Sequence, residues 1–245
     1  MNRLQKHNQQ GFTLVELIAA VAIGLIMLLA IYAVINTAQR SASGIEGKVT
    51  AQQDARIALE LMAMEIRMAS YNSTLQNNIW LNPTNCSASS NPTYKGIQEA
   101  TPTSLTIEMD IDNSGSIGNV ANEIIRYEYL TGASDLRITR ETRSCIGGTY
   151  STSGAQPFLG AASGSGTPQD VQVINNSLNI SVFRYFQANG TEIFPTASNT
   201  TPIPNIRRIT ITLCVQTQNI DPTTKRPRYL VYATSVIPMN HGINP

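Results

Sequence analysis

The strongest constraint on this chain is an unbroken apolar run near its start. Residues 12–35 read FTLVELIAAVAIGLIMLLAIYAVI, with Glu16 the single charge among them. As a helix rising 1.5 Å per residue, the run reaches about 36 Å, enough to cross a bilayer core of about 30 Å. The segment before it, MNRLQKHNQQG, is polar, carries Arg3 and Lys6, and has no apolar core of its own. Basic residues on the amino side predict a span with its amino end inside. A secretory signal has a shorter apolar region, about 7–15 residues, followed by its cleavage site. Here Gly11 stands before the run, so a cut at that point leaves the whole run on the mature chain as an anchor.

Glu16 is the anomaly in the run. A carboxylate at the bilayer centre costs about 2.5–3.5 kcal/mol on insertion scales, and less this close to one end. One reading is a side chain snorkelling to the interface, helped by the positive end of the helix. The other follows from a cut after Gly11. Phe12 then carries a free α-amine with Glu16 as its i+4 neighbour, and the two opposite charges can pair between adjacent subunits and set their axial register.

The segment Gly11-Phe12-Thr13-Leu14-Val15-Glu16 and its surroundings resemble the class III signal of type IV pilins and of the pseudopilins of type II secretion. The resemblance implies that a prepilin peptidase cuts between Gly11 and Phe12 and that Phe12 is N-methylated. It also implies that Glu16 guides docking onto other major and minor pilins. One departure is that many pilins carry prolines in the first helix, whereas the first proline here is Pro83. A second resemblance lies at 54–71, where Asp54-Ala55-Arg56, Ala58-Leu59 and Glu65-Ile66-Arg67-Met68-Ala69-Ser70-Tyr71 are similar to the helix end of PilW-like minor pilins. Glu65 and Ser70 stand where that pattern has Asp and Gly. The two regions cover about the first 70 residues.

Between 36 and 71 the sequence predicts an amphipathic continuation of the same helix. Ile57, Leu61, Met64 and Met68 recur at 4-3-4 spacing and form an apolar stripe, expected to pack on the chain's own head, with a methionine-rich groove for a partner as the alternative. Gly44 and Gly47 each cost about 1 kcal/mol relative to Ala in a helix interior, so a bend or local melting is the expectation there.

Past Tyr71 the period changes to two. Leu105, Ile107 and Met109 alternate with polar residues, as do Leu136 and Ile138; Leu178, Ile180 and Val182; and Ile209, Ile211 and Leu213. Residues 124–130 and 229–237 are also strand-like, so the head is expected to be an antiparallel sheet. Loops rich in Gly, Ser, Thr and Pro are expected at 72–103, 143–169 and 188–204, with a hairpin turn at Asn189-Gly190. The resulting architecture is α+β and pilin-like. It comprises a leader at 1–11, a transmembrane and assembly half-helix at 12–35, an amphipathic half at 36–71 and a β-rich periplasmic or extracellular head at 72–245.

Composition excludes several function classes. Lys and Arg number 17 against 16 Asp and Glu, and two of the basic residues lie in the leader, so nucleic acid is not an expected partner. Of two histidines, His7 lies in the leader, leaving His241 alone for any triad, zinc site or acid–base pair; the chain is not expected to be an enzyme. Cys86, Cys145 and Cys214 include no CxxC. One disulfide can form in three ways; Cys86 with Cys145 is favoured, because both fall in expected loops with freedom to meet the geometry. Asp110-Ile111-Asp112-Asn113-Ser114-Gly115 matches the first half of an EF-type calcium loop, offering Asp110, Asp112 and Ser114 as ligands. The twelfth loop position is Ala121 rather than Glu, with Glu123 two residues later; the other reading is an acidic turn after a strand. The turn also resembles the D-x-(D/N)-x-(D/S)-G turn often found at this point in PilW-like heads, which fits either reading.

The chain therefore reads as a PilW-like minor pilin. It is inserted in the inner membrane with its head in the periplasm, and it then joins a pilus initiation or tip complex. A minor pseudopilin of type II secretion and a filament-displayed adhesin or binding module are the alternatives.

Overall fold

The computed structural model describes residues 11–89, 95–132, 136–160, 171–217, 220 and 224–242. The expected leader falls on residues 1–10, outside the described residues, with only Gly11 inside them.

A single helix, α1 (Leu14–Met68), runs for 55 residues, or about 82 Å. It passes through Gly44 and Gly47 without interruption, so the helix does not melt there. Long runs of good helix formers on either side outweigh two glycines at about 1 kcal/mol each. No residue of α1 before Ala51 is buried. From Ala51 onward, Ala51, Ala55, Ala58, Leu59, Met62, Ala63 and Ile66 face the head and are buried.

The stripe expected to face the head does not do so: Ile57 is 64 % exposed, Met64 53 % and Met68 40 %. The helix has two apolar faces, and residues two apart, such as Ala55 and Ile57, lie about 200° round from each other. The sheet takes the alanine-rich face because a side chain ending at Cβ lets backbone layers approach closely. The bulkier stripe is left on the far side.

The head begins with a left-handed residue, Ser70 (φ 65°), directly after the helix cap at Ala69. Ser70 donates its backbone N–H to Glu108 O at 2.8 Å. Gly96 packs so close that a Cβ there would lie 1.9 Å from Ser70 Oγ, and its own φ is +70°, so both space and conformation require glycine.

The strands are β1 (Trp80–Leu81), β2 (Ala88–Ser89), β3 (Ile97–Ala100), β4 (Ser104–Glu108), β5 (Ile124–Leu130), β6 (Arg137–Ile146), β7 (Thr149–Thr152), β8 (Gln156–Leu159), β9 (Val171–Val173), β10 (Phe183–Phe186), β11 (Glu192–Ile193), β12 (Arg208–Thr217) and β13 (Tyr229–Val236). Every strand pairing among the described residues is antiparallel. One sheet has the order β3-β4-β5-β6-β7 with β8 also on β6; a second has β11-β10-β12-β13 with β9 also on β12; β1 and β2 form a separate ribbon. The two larger sheets are tied together by Val173 N–H to Leu136 O at 2.8 Å and by Tyr185 Oη–H to Thr101 O at 2.8 Å. Helix α1 lies mainly on β12 and β13 and touches β8.

Three expected loops carry more structure than their composition suggests. The stretch 72–103 includes β1, β2 and β3, and 143–169 includes the end of β6 with β7 and β8. The 188–204 loop holds β11 and a 3-10 turn at Ile203–Asn205, and the Asn189-Gly190 hairpin forms between β10 and β11. In the opposite direction, Leu178 and Ile180 are not on a strand. Asn175 is buried and its amide reaches Ile180 O (3.3 Å), Thr212 O (2.8 Å) and the N–H of Cys214 (2.8 Å). The chain wraps around that amide in a 3-10 turn, Asn176–Leu178, and leaves through left-handed Asn179. The strand starts only at Phe183.

Candidate assembly site

The helix start is built by Thr13 and Glu16. Thr13 is the N-cap, and its Oγ1 accepts the Glu16 N–H at 3.3 Å. Glu16 Oε2 in turn accepts the Thr13 backbone N–H and hydroxyl, both at 3.0 Å. This reciprocal pair satisfies two otherwise orphaned donors. Sequence reasoning missed Thr13, although the Thr-x-x-Glu spacing at 13–16 is the readable signature of such a box. The carboxylate is therefore oriented along the helix, one residue from the Phe12 backbone nitrogen and on the end that a cut after Gly11 would expose. Phe12 is 90 % exposed, and the large apolar side chains from Leu14 to Ile35 are all at least half exposed.

An apolar surface of this length is unstable in water at about 25 cal/mol per Å². It needs lipid or other helices. This helix is the one span in the described residues long and apolar enough to cross a membrane.

In the head, Cys86 and Cys145 form a disulfide with Cα atoms 5.9 Å apart. It staples a small second core of Ile79, Trp80, Leu81, Ile117 and Ile124. Cys214 is a buried thiol, and burial pushes its pKa up.

The acidic turn brings together Asp110, Asp112 and Glu123, with one carboxylate oxygen of each within 4.8 Å of the others. The chain thus supplies from Glu123 the carboxylate that Ala121 cannot. Ser114 contributes its backbone N–H to Asp110 Oδ1 and Asp112 Oδ1, both at 3.0 Å, while its hydroxyl turns to Ser116 O. Gly115 N–H reaches Asp110 Oδ2 at 3.0 Å, and Gly118 N–H reaches Glu123 Oε2 at 2.8 Å. Hydrogen bonds, chiefly from Ser114, hold Asp112 below the usual carboxylate range; burial raises Glu123. A carboxylate oxygen has two lone pairs, so these N–H contacts still leave acceptor capacity for a hard cation.

His241 is buried, with Nδ1 2.6 Å from Lys95 O and Nε2 2.8 Å from Ile203 O. Ser70 Oγ lies 3.0 Å from Nδ1. Nδ1 thus sits beside the helix exit and Nε2 beside the 3-10 turn at Ile203–Asn205, and burial lowers the imidazole pKa.

A family model described as the prokaryotic N-terminal methylation motif matches residues 6–32. Comparisons with curated proteins and with solved structures gave no match. The long apolar helix followed by an antiparallel β head is a pilin-like architecture, and the matched motif is that of a family of structural subunits. The matched motif, over residues 6–32, supports a likeness to type IV pilins and pseudopilins. Such a leader is processed by prepilin peptidase, and its bearers anchor in a membrane and assemble with other pilins.

Proposed function

We propose that this chain is a PilW-like minor pilin. It waits in the inner membrane with its amino end inside and its head in the periplasm. After cleavage behind Gly11 and methylation of Phe12, it enters a complex that initiates or caps a pilus. The observation that carries the reading is the contrast along α1: nothing before Ala51 is buried, while the face from Ala51 to Ile66 is seated on the head. The first half is therefore built for lipid and then for neighbouring helices. The size of the head, residues 72–245, and the resemblance at 54–71 favour a minor subunit.

In this reading Glu16 docks against the Phe12 α-amine of an adjacent subunit. Glu16→Ala is expected to leave the head's melting transition unchanged and to remove the chain from purified filaments. Normal incorporation of that variant would remove the docking role. Calcium at Asp110, Asp112 and Glu123 belongs to the same proposal, in a purely structural role. Adding calcium should raise the melting midpoint of the full chain in detergent and Asp112→Asn should erase the rise; equal midpoints in calcium and in chelator would dismiss the ion.

A further inference from the structure

We propose that the outer edge of β13 is a docking site for an acidic, extended segment of a neighbouring subunit, which adds a strand to the sheet. This rests on the assembly reading above. The register of β13 on β12 runs unbroken from Ile209↔Val236 to Gln216↔Tyr229. One step further, Thr217 N–H donates to Arg228 O at 3.0 Å. Hydrogen-bonded positions alternate along an antiparallel pair. Leu230, Tyr232, Thr234 and Val236 therefore bond toward β12, while the N–H and C=O groups of Tyr229, Val231, Ala233 and Ser235 point away from it. Among the described residues no strand pairs on that side.

Sheet edges are usually blunted by shortness, bulges, proline or lysine. At the other edges, β11 has two residues, β7 has four, and β3 has four with a register shift. β13 has eight, with no proline, lysine or bulge. Its outward face is apolar at Tyr229 and Val231, which are 61 % and 59 % exposed.

The space beside the edge already has a floor. Arg56, Glu60 and Arg67 of α1, with Tyr232 and Thr234 of β13, line an open groove of about 450 Å³, in which the Arg56 guanidinium lies over the Tyr232 ring at 5.8 Å. A strand laid about 4.8 Å from β13 would rest its inward side chains on this helix face. The groove has two arginines against one glutamate, and neither Arg56 nor Arg67 has an ion-pair partner among the described residues. Lys225 and Arg226 precede the strand. The matching segment carries acidic side chains.

A second copy pairing β13 with β13 is disfavoured. That arrangement has a two-fold axis normal to the sheet, which reverses the helix lying on it. Two anchors would then point in opposite directions and could not share one membrane. The donor is a different segment, from a subunit oriented the same way. Main-chain bonds supply affinity in this mode of recognition, and side-chain pockets supply register.

The test is residue-resolved amide exchange on the full chain, first in detergent and then within filaments from its own host. The amides of Tyr229, Val231, Ala233 and Ser235 should slow at least about tenfold on assembly, while those of Leu230, Tyr232 and Thr234 are slow in both states. Unchanged exchange at the four outward amides would overturn the proposal. Val231→Pro removes an outward N–H and no bond to β12, so it should keep the melting midpoint and lose incorporation; Val231→Thr should assemble normally. Normal assembly of the proline variant would also overturn it. If the proline variant fails to fold, the wild-type exchange rates decide. Filaments that contain the Phe12-terminated chain with exposed β13 amides reject the edge alone. A chain that never enters a filament rejects both this site and the assembly reading.

Discussion

Glu65 on α1 and Arg140 on β6 join the helix to the first sheet through an ion pair at 2.8 Å. Both side chains are mostly covered, at 12 % and 23 % exposure. The hydroxyl of Tyr127, on the neighbouring strand β5, donates to the same carboxylate, and the Tyr127 ring meets Phe158 edge-on at 5.1 Å. While α1 packs mainly on β12 and β13, this cluster holds it to the other sheet. Removing the carboxylate strands a guanidinium and a buried hydroxyl, at a cost of about 2–4 kcal/mol. Glu65→Ala should therefore lower the denaturation midpoint of the full chain in detergent clearly. A loss below about 0.5 kcal/mol, ordinary for a surface site, would show that the cluster does not clamp the helix.

Glu108 predicts a pH dependence. It is fully buried, and that burial pushes its pKa well above the ordinary carboxyl value, against the opposing bonds from Gln98 and the Leu81 N–H. The folded state then holds a proton that the unfolded chain releases above about pH 4.5. Its stabilising share is complete below that value and is lost as pH rises, by at most about 1.4 kcal/mol per pH unit for one proton. Glu108→Gln should flatten the decline in melting midpoint between pH 5 and 8, a window set by that upward shift. Parallel curves for the two proteins would contradict a neutral Glu108.

The disulfide closes a loop of 59 residues around the small core under Trp80. Cross-links of this kind stabilise by roughly 2–4 kcal/mol, mainly by restricting the unfolded chain. Replacing both Cys86 and Cys145 with Ala should lower stability by that order. In the unreduced native protein, Cys214 should react with a thiol reagent only after unfolding. Rapid labelling of Cys214 under native conditions would contradict its burial on β12.

The helix and its anchor were legible in the sequence because they depend on local composition: one apolar run, one charge, one glycine before it. The β4 and β12 strands were legible from period two, and β5 and β13 from their strand-like composition. The docking face of α1 was not. Ile57, Leu61, Met64 and Met68 give the stronger hydrophobic signal, but the sheet selects the alanines at 51, 55 and 58 for closeness of approach, which a hydrophobicity pattern does not record. The turn at 176–179 was equally hidden, because it depends on the Asn175 amide meeting Thr212 and Cys214 from a distant strand. Glu123 joins Asp110 and Asp112 only through the fold of the β4–β5 connection. The partner of Glu65 lies 75 residues away, and no spacing rule reaches that far.

The central claim is that this chain is processed as a prepilin. Mass spectrometry of its N-terminal peptide, from protein purified out of its own host, tests that most directly. The account predicts a mature terminus at N-methylated Phe12, with Met1–Gly11 removed. An intact Met1 would contradict it and leave a signal-anchored protein whose head alone could carry a function.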